Sequence, residues 1–125
     1  MSFKKILFVE DESFLREEIA LVLEFEGYKV ETAQDGMEAL EIFGKFMPDL
    51  VMTDMKLPRL SGVQLIKEIR GQGHIDVPII VTSAFSAKEW IEDVLSLGAT
   101  NYLTKPFSLD AVLQMIEGLI NGETD

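Results

Sequence analysis

Five short runs, most of them apolar and β-branched, recur along the chain, and each is followed by a segment with helical spacing. They are Lys4–Val9, Tyr28–Thr32, Leu50–Thr53, Val77–Val81 and Asn101–Thr104. A short run that is apolar at every position is buried on both faces, as strands of a parallel sheet are, and parallel neighbours must be joined by long crossovers. The pattern therefore predicts an α/β chain of (βα)5 form: a doubly wound, five-stranded parallel sheet with helices on both faces.

The intervening segments carry their own start and stop signals. Leu15, Ile19, Val22 and Leu23 are helically spaced behind a Ser13 cap, and Gly27 supplies the stop. Asp35 with Glu38, Ser61 with Gln64, and Ser86 with Glu89 each have capping-box spacing, and Phe85 and Trp90 are placed as a hydrophobic staple for the fourth helix. Ser108 caps the last helix, whose inward positions are Val112, Leu113 and Ile116. At 125 residues, with no repeat or linker, the reading is one domain over residues 1–125.

Composition removes several function classes. Cysteine is absent, which excludes a disulfide framework, a thiolate metal site and a cysteine nucleophile. Twenty-two acids against 11 bases give a net charge of −11, which repels phosphate backbones and argues against direct nucleic-acid binding. No stretch approaches the ~20 apolar residues of a membrane span, so the expectation is a cytoplasmic protein with no membrane partner. The single histidine, His74, lies among Gly71, Gly73 and Asp76, away from any nucleophile–base pair. Neither Gly-rich nucleotide-binding pattern is present.

Chemistry collects just past the strands. The third run stops at Asp54, and Pro58 prevents its continuation. Glu10 and Asp11 follow the first run, Thr82 the fourth and Lys105 the fifth. If the first, third, fourth and fifth strands are neighbours, three carboxylates, a hydroxyl and an ammonium meet at one sheet edge, where open α/β sheets bind ligands. Carboxylates this close oppose one another's ionisation unless a cation intervenes, and Mg2+ suits such an oxygen set. The group fits phosphoryl transfer to a carboxylate, with Asp54 as nucleophile and Mg2+, Lys105 and Thr82 sharing the equatorial oxygens.

The segments Phe8-Val9-Glu10-Asp11, Met52-Thr53-Asp54-Met55-Lys56-Leu57-Pro58, Val81-Thr82-Ser83-Ala84 and Tyr102-Leu103-Thr104-Lys105-Pro106-Phe107 resemble, in order and over essentially the whole chain, the receiver domain of two-component response regulators. The resemblance, which extends to the chemotaxis response regulator, implies a flavodoxin-like sheet of order 2-1-3-4-5. It implies that Asp54 is the phosphoacceptor, served by a sensor histidine kinase or histidine phosphotransfer protein. It implies that Asp11, Asp54 and the backbone carbonyl of Lys56 hold Mg2+ (Mn2+ as a substitute), with Glu10 acting through water. Thr82 and Lys105 would grip the phosphoryl group, and Thr82 with Tyr102 would form the switch. The surface of the fourth helix, fifth strand and fifth helix would then meet a downstream protein target or attached output domain, or form a phosphorylation-dependent dimer. Such a protein is not an enzyme beyond self-catalysed phosphoryl transfer and autodephosphorylation.

Three departures from the family pattern stand out. Lys56, two residues past the acceptor, is a long cation where the family often has a neutral or acidic side chain. Ser61 stands where Asp often precedes the glycine. The stretch from Thr82 to Tyr102 is about one residue longer than usual, which shifts the start of the fourth helix. Two other readings use the same residues. One is a receiver-like module that binds a partner without phosphorylation. The other is a Mg2+-dependent phosphatase with an aspartyl-phosphate intermediate, against which Lys56 replaces the second acid of a D-x-D pair.

Overall fold

The computed structural model describes residues 4–121, so the ends of the single domain expected over residues 1–125 lie outside the described residues. Five strands and five helices alternate: β1 (Lys5–Val9), α1 (Ser13–Phe25), β2 (Lys29–Ala33), α2 (Gly36–Phe46), β3 (Leu50–Asp54), α3 (Gly62–Gly71), β4 (Ile79–Ser83), α4 (Lys88–Ser96), β5 (Asn101–Thr104) and α5 (Leu109–Ile120). All pairings are parallel and the order is β2-β1-β3-β4-β5. No helix among the described residues is long and apolar enough to cross a membrane.

Successive residues of each strand point to opposite faces, so the apolar strands feed two cores. Leu7, Val9, Val51, Ile79 and Val81 pack with Phe43, Leu65, Ile66, Ile69 and Val94 of α2, α3 and α4. Ile6, Phe8, Leu50, Met52, Ile80 and Leu103 pack with Ile19 and Leu23 of α1 and Val112 and Ile116 of α5. Strands β3 and β4 are buried at every position, as continuous apolar runs require, whereas edge strand β2 alternates.

Several element boundaries and caps differ from the sequence reading. Strand β4 begins at Ile79 rather than Val77, because Pro78 has no N–H to donate and contributes only its carbonyl, to Val51 N at 2.9 Å. Strand β2 is displaced by one residue, to Lys29–Ala33. Glu12, not Ser13, caps α1, and its longer side chain reaches Leu15 N. The Ser61–Gln64 box forms in both directions. Asp35 caps α2, but Glu38 returns to Gln34 N at 2.9 Å instead of to the cap residue. Ser86 does not cap α4; the cap position is Ala87, with no side-chain hydrogen bond. The expected staple pair does touch, Phe85 and Trp90 meeting edge to face with ring centroids 6.0 Å apart.

Candidate functional site

Register brings the chemistry together. Val9 pairs with Thr53, Asp54 with Thr82, and Ser83 with Thr104, so Glu10, Asp54, Thr82 and Lys105 stand at or just past the same edge of four adjacent strands. Asp54 remains in the ladder as the last residue of β3. Behind it, Gly62 opens α3 so close to the strand end that a Cβ there would lie 2.5 Å from the Asp54 carbonyl oxygen. Only glycine leaves room for α3 at that spot, and Gly62 N donates to Met55 O at 2.9 Å. The loop between them is held at a second point, where Arg59 pairs with Asp35 at 3.0 Å.

Lys105 is the hub of the site. Its ammonium donates to Glu10 Oε1 at 3.0 Å and to Asp54 Oδ2 at 3.2 Å. Burial alone would lower its pKa, but the hydrogen bond to Glu10 and the charge of Asp54 outweigh that and raise it. Glu10 is 1% exposed. Burial pushes its carboxyl above the ordinary range, with the bonds from Lys105 and Glu12 N acting the other way. The backbone at Glu10 is pinned by Arg16, whose guanidinium donates to the Glu10 carbonyl at 2.8 Å. Sequence reading missed Arg16, which a helical offset of six residues from Glu10 does not reveal.

Glu10, Asp11 and Asp54 offer carboxylate oxygens that all lie within 4.8 Å of one another. Three hard anionic oxygens at this spacing, with Asp11 exposed and Glu10 buried, match the donor chemistry of a divalent cation such as Mg2+. On the other side of Asp54, a cleft of about 230 Å3 is lined by Asp54, Lys56, Ser83, Ala84, Phe85 and Lys105.

The remaining expected residues are arranged differently. Thr82 is fully buried, and its hydroxyl donates to Thr53 O at a long 3.5 Å instead of facing the cleft. The Tyr102 hydroxyl donates to Phe85 O at 2.7 Å, which ties β5 to the loop after β4. The Lys56 side chain leaves the carboxylates and lies over the Phe85 ring, 5.1 Å from its centroid. Phe85 was legible in the sequence only as a staple, and its place at the cleft emerges from the packing of two loops distant in the chain.

Comparison with known proteins agrees with this fold. The family model described as the response regulator receiver domain matches residues 6–117. The response regulator MprA of Mycobacterium sp. (strain KMS) is 39% identical over 116 residues, 93% of this chain and 50% of that protein. The chain thus spans about half the length of the curated relatives it matches. Among solved structures, the Francisella response regulator 1452 receiver domain superposes with a TM-score of 0.91 at 31% identity, covering 95% of this chain and 98% of that one. The Vibrio cholerae chemotaxis protein CheY4 gives 0.89 at 30% identity, covering 94% and 99%.

Proposed function

The chain belongs to the response regulator receiver domain family of two-component signalling, and on that premise we propose that it is a single receiver domain whose Asp54 accepts a phosphoryl group from a sensor histidine kinase or histidine phosphotransfer protein. The observation that carries this is the Lys105 ammonium on both Glu10 and Asp54, with Asp11 completing an oxygen cluster at the strand ends.

An Asp54 carboxylate oxygen attacks phosphorus, the P–N bond to the donor imidazole breaks, and the ring takes a proton from solvent. Lys105, already 3.2 Å from Asp54 Oδ2, offsets charge spread over the phosphoryl oxygens. Asp11, Asp54 and the Lys56 backbone carbonyl, with Glu10 acting through water, would hold Mg2+ (or Mn2+ in its place), which would supply further charge neutralisation. Thr82, whose hydroxyl is only weakly engaged on Thr53 O, turns toward the phosphoryl group, and Tyr102 gives up Phe85 O as the switch. The surface of α4, β5 and α5 carries the result to a target protein, an attached output domain or a second phosphorylated copy.

Intact mass after incubation with acetyl phosphate tests this in three arms: with Mg2+, with a chelator, and in Asp54→Asn. A single Mg2+-dependent phosphate adduct, absent from Asp54→Asn, supports the reading. Donor turnover without an adduct would point to a phosphatase, and Mg2+ binding without adduct or turnover to a partner-binding module. Tyr102→Ala tests the switch, which is wrong if partner affinity stays equally dependent on phosphorylation.

A further inference from the structure

Lys56 and Phe85 approach the mouth of the acceptor cleft from two different loops. Lys56 lies two residues past β3 and Phe85 two past β4, and both line the cleft with Asp54 and Lys105. In a chain of net charge −11, the Lys56 ammonium rests on a neutral ring, 5.1 Å from the Phe85 centroid. Of the site's carboxylates, Glu10 and Asp54 both pair with Lys105.

Phe85 is also a junction. Its N–H donates to Ser83 Oγ at 3.1 Å, its carbonyl accepts from the Tyr102 hydroxyl at 2.7 Å, and its ring stands edge to face with Trp90. Trp90 belongs to α4, and its buried indole N–H has no hydrogen-bond partner among the described residues. Reorienting that ring breaks no hydrogen bond. Helix α4 begins without a side-chain cap, so its first turn is less firmly held than those of the capped helices.

We infer that Lys56 is a second phosphoryl-binding cation, parked on the Phe85 ring while Asp54 is free and drawn onto the phosphoryl oxygens once Asp54 is modified, which unpins Phe85 and Trp90. The inference rests on Asp54 being the acceptor. A phosphoryl group brings roughly two negative charges into the cleft. Its pull on an ammonium exceeds that of a partly exposed aromatic quadrupole, because charge–charge attraction is the stronger term at the same distance and screening. The exposed loop position leaves this long side chain free to exchange partners within the cleft it lines. Departure of the cation then alters the ring that Trp90 packs against, giving a link from acceptor to α4 that is separate from the Thr82 hydroxyl.

Two substitutions have opposite expected effects. Lys56→Met removes the phosphoryl contact, whereas Phe85→Leu removes the competitor that holds the ammonium away. The probe is beryllium fluoride, a phosphoryl mimic that adds to carboxylates, titrated into the full chain with Mg2+. Binding is read by fluorine NMR and the local response by emission of Trp90, the single tryptophan. Lys56→Met should weaken the mimic up to about fivefold, the factor of one partly screened charge contact. Phe85→Leu should tighten it about threefold, the factor of one exposed cation–ring contact. Both should lose most of the Trp90 emission change seen in the wild type. Wild-type affinity in both variants, shifts of the same sign, or a full emission change in Lys56→Met would overturn the inference while leaving the acceptor intact. Absence of both mimic binding and a phosphate adduct in the wild type would overturn the acceptor reading and this inference with it.

Discussion

Replacing Lys105 by methionine isolates the electrostatic burden of the site, because methionine keeps much of the stem's bulk and removes the charge. The Lys105 side chain is 25% exposed and contacts Glu10, 1% exposed, and Asp54, 12% exposed. Removing one partner of a buried ion pair costs about 3–5 kcal/mol, because the other charge is left without compensation. Water reaches Lys105 and, to a lesser degree, Asp54, so about 2–3 kcal/mol is expected here. The pH dependence has a definite sign. Burial raises the Glu10 carboxyl above 4.5, and the hydrogen bond from Lys105 restrains that rise. A carboxyl whose folded pKa is raised binds its proton more tightly when folded, so stability falls as pH climbs from 4.5 through the folded value. Without Lys105 the Glu10 pKa rises further, and the deficit of Lys105→Met should be largest near neutrality and shrink on acidification. Urea unfolding of both proteins near neutral pH and at about pH 5 measures this. Added Mg2+ should recover more stability in the variant, where no ammonium competes for the carboxylates. A loss below about 1 kcal/mol near neutrality, or one that grows on acidification, would refute the reasoning.

Other sites offer independent checks. Arg70 donates to the carbonyls of Gly98, His74 and Val77 at 2.7–3.0 Å, so Arg70→Ala should cost about 2–4 kcal/mol in urea unfolding while the rate of adduct formation is retained. Gly62→Ala places a methyl group 2.5 Å from the Asp54 carbonyl oxygen; a loss of about 1–3 kcal/mol and slower phosphorylation by acetyl phosphate are expected, and unchanged values for both would contradict the close-approach argument. The Arg59 hydrogen bond, followed by that from Glu38 N, holds the Asp35 carboxyl below 3.8. The stability this gives is present above 3.8 and is lost as pH falls through the lowered value; in Arg59→Ala, NMR titration should find Asp35 moved up toward 3.8.

The order of strands and helices, the ends of β3 and β5, and the caps at Asp35, Ser61 and Ser108 were legible along the chain. Each depends on contacts within a few residues: an apolar run, a hydroxyl or carboxylate three residues before an amide, a proline that cannot donate. The convergence of Glu10, Asp11, Asp54 and Lys105 was legible too, because a parallel sheet places every strand's carboxyl end on one edge. Where the reading slipped, at Glu12, Ala87 and the start of β4, candidate boundary residues lay within one or two positions of each other, closer than spacing alone resolves. Only the folded chain shows that Thr82 faces the Thr53 carbonyl, that Arg16 pins Glu10, and that Lys56 rests on Phe85. The Thr82 contact and the meeting of the Lys56 and Phe85 loops are set by neighbours tens of residues away, and the Arg16 contact by a turn of chain that only folding closes. Local spacing names the groups that reach the strand ends, whereas their mutual orientation is decided by strand register and by contacts between side chains and loops that only the folded sheet brings together.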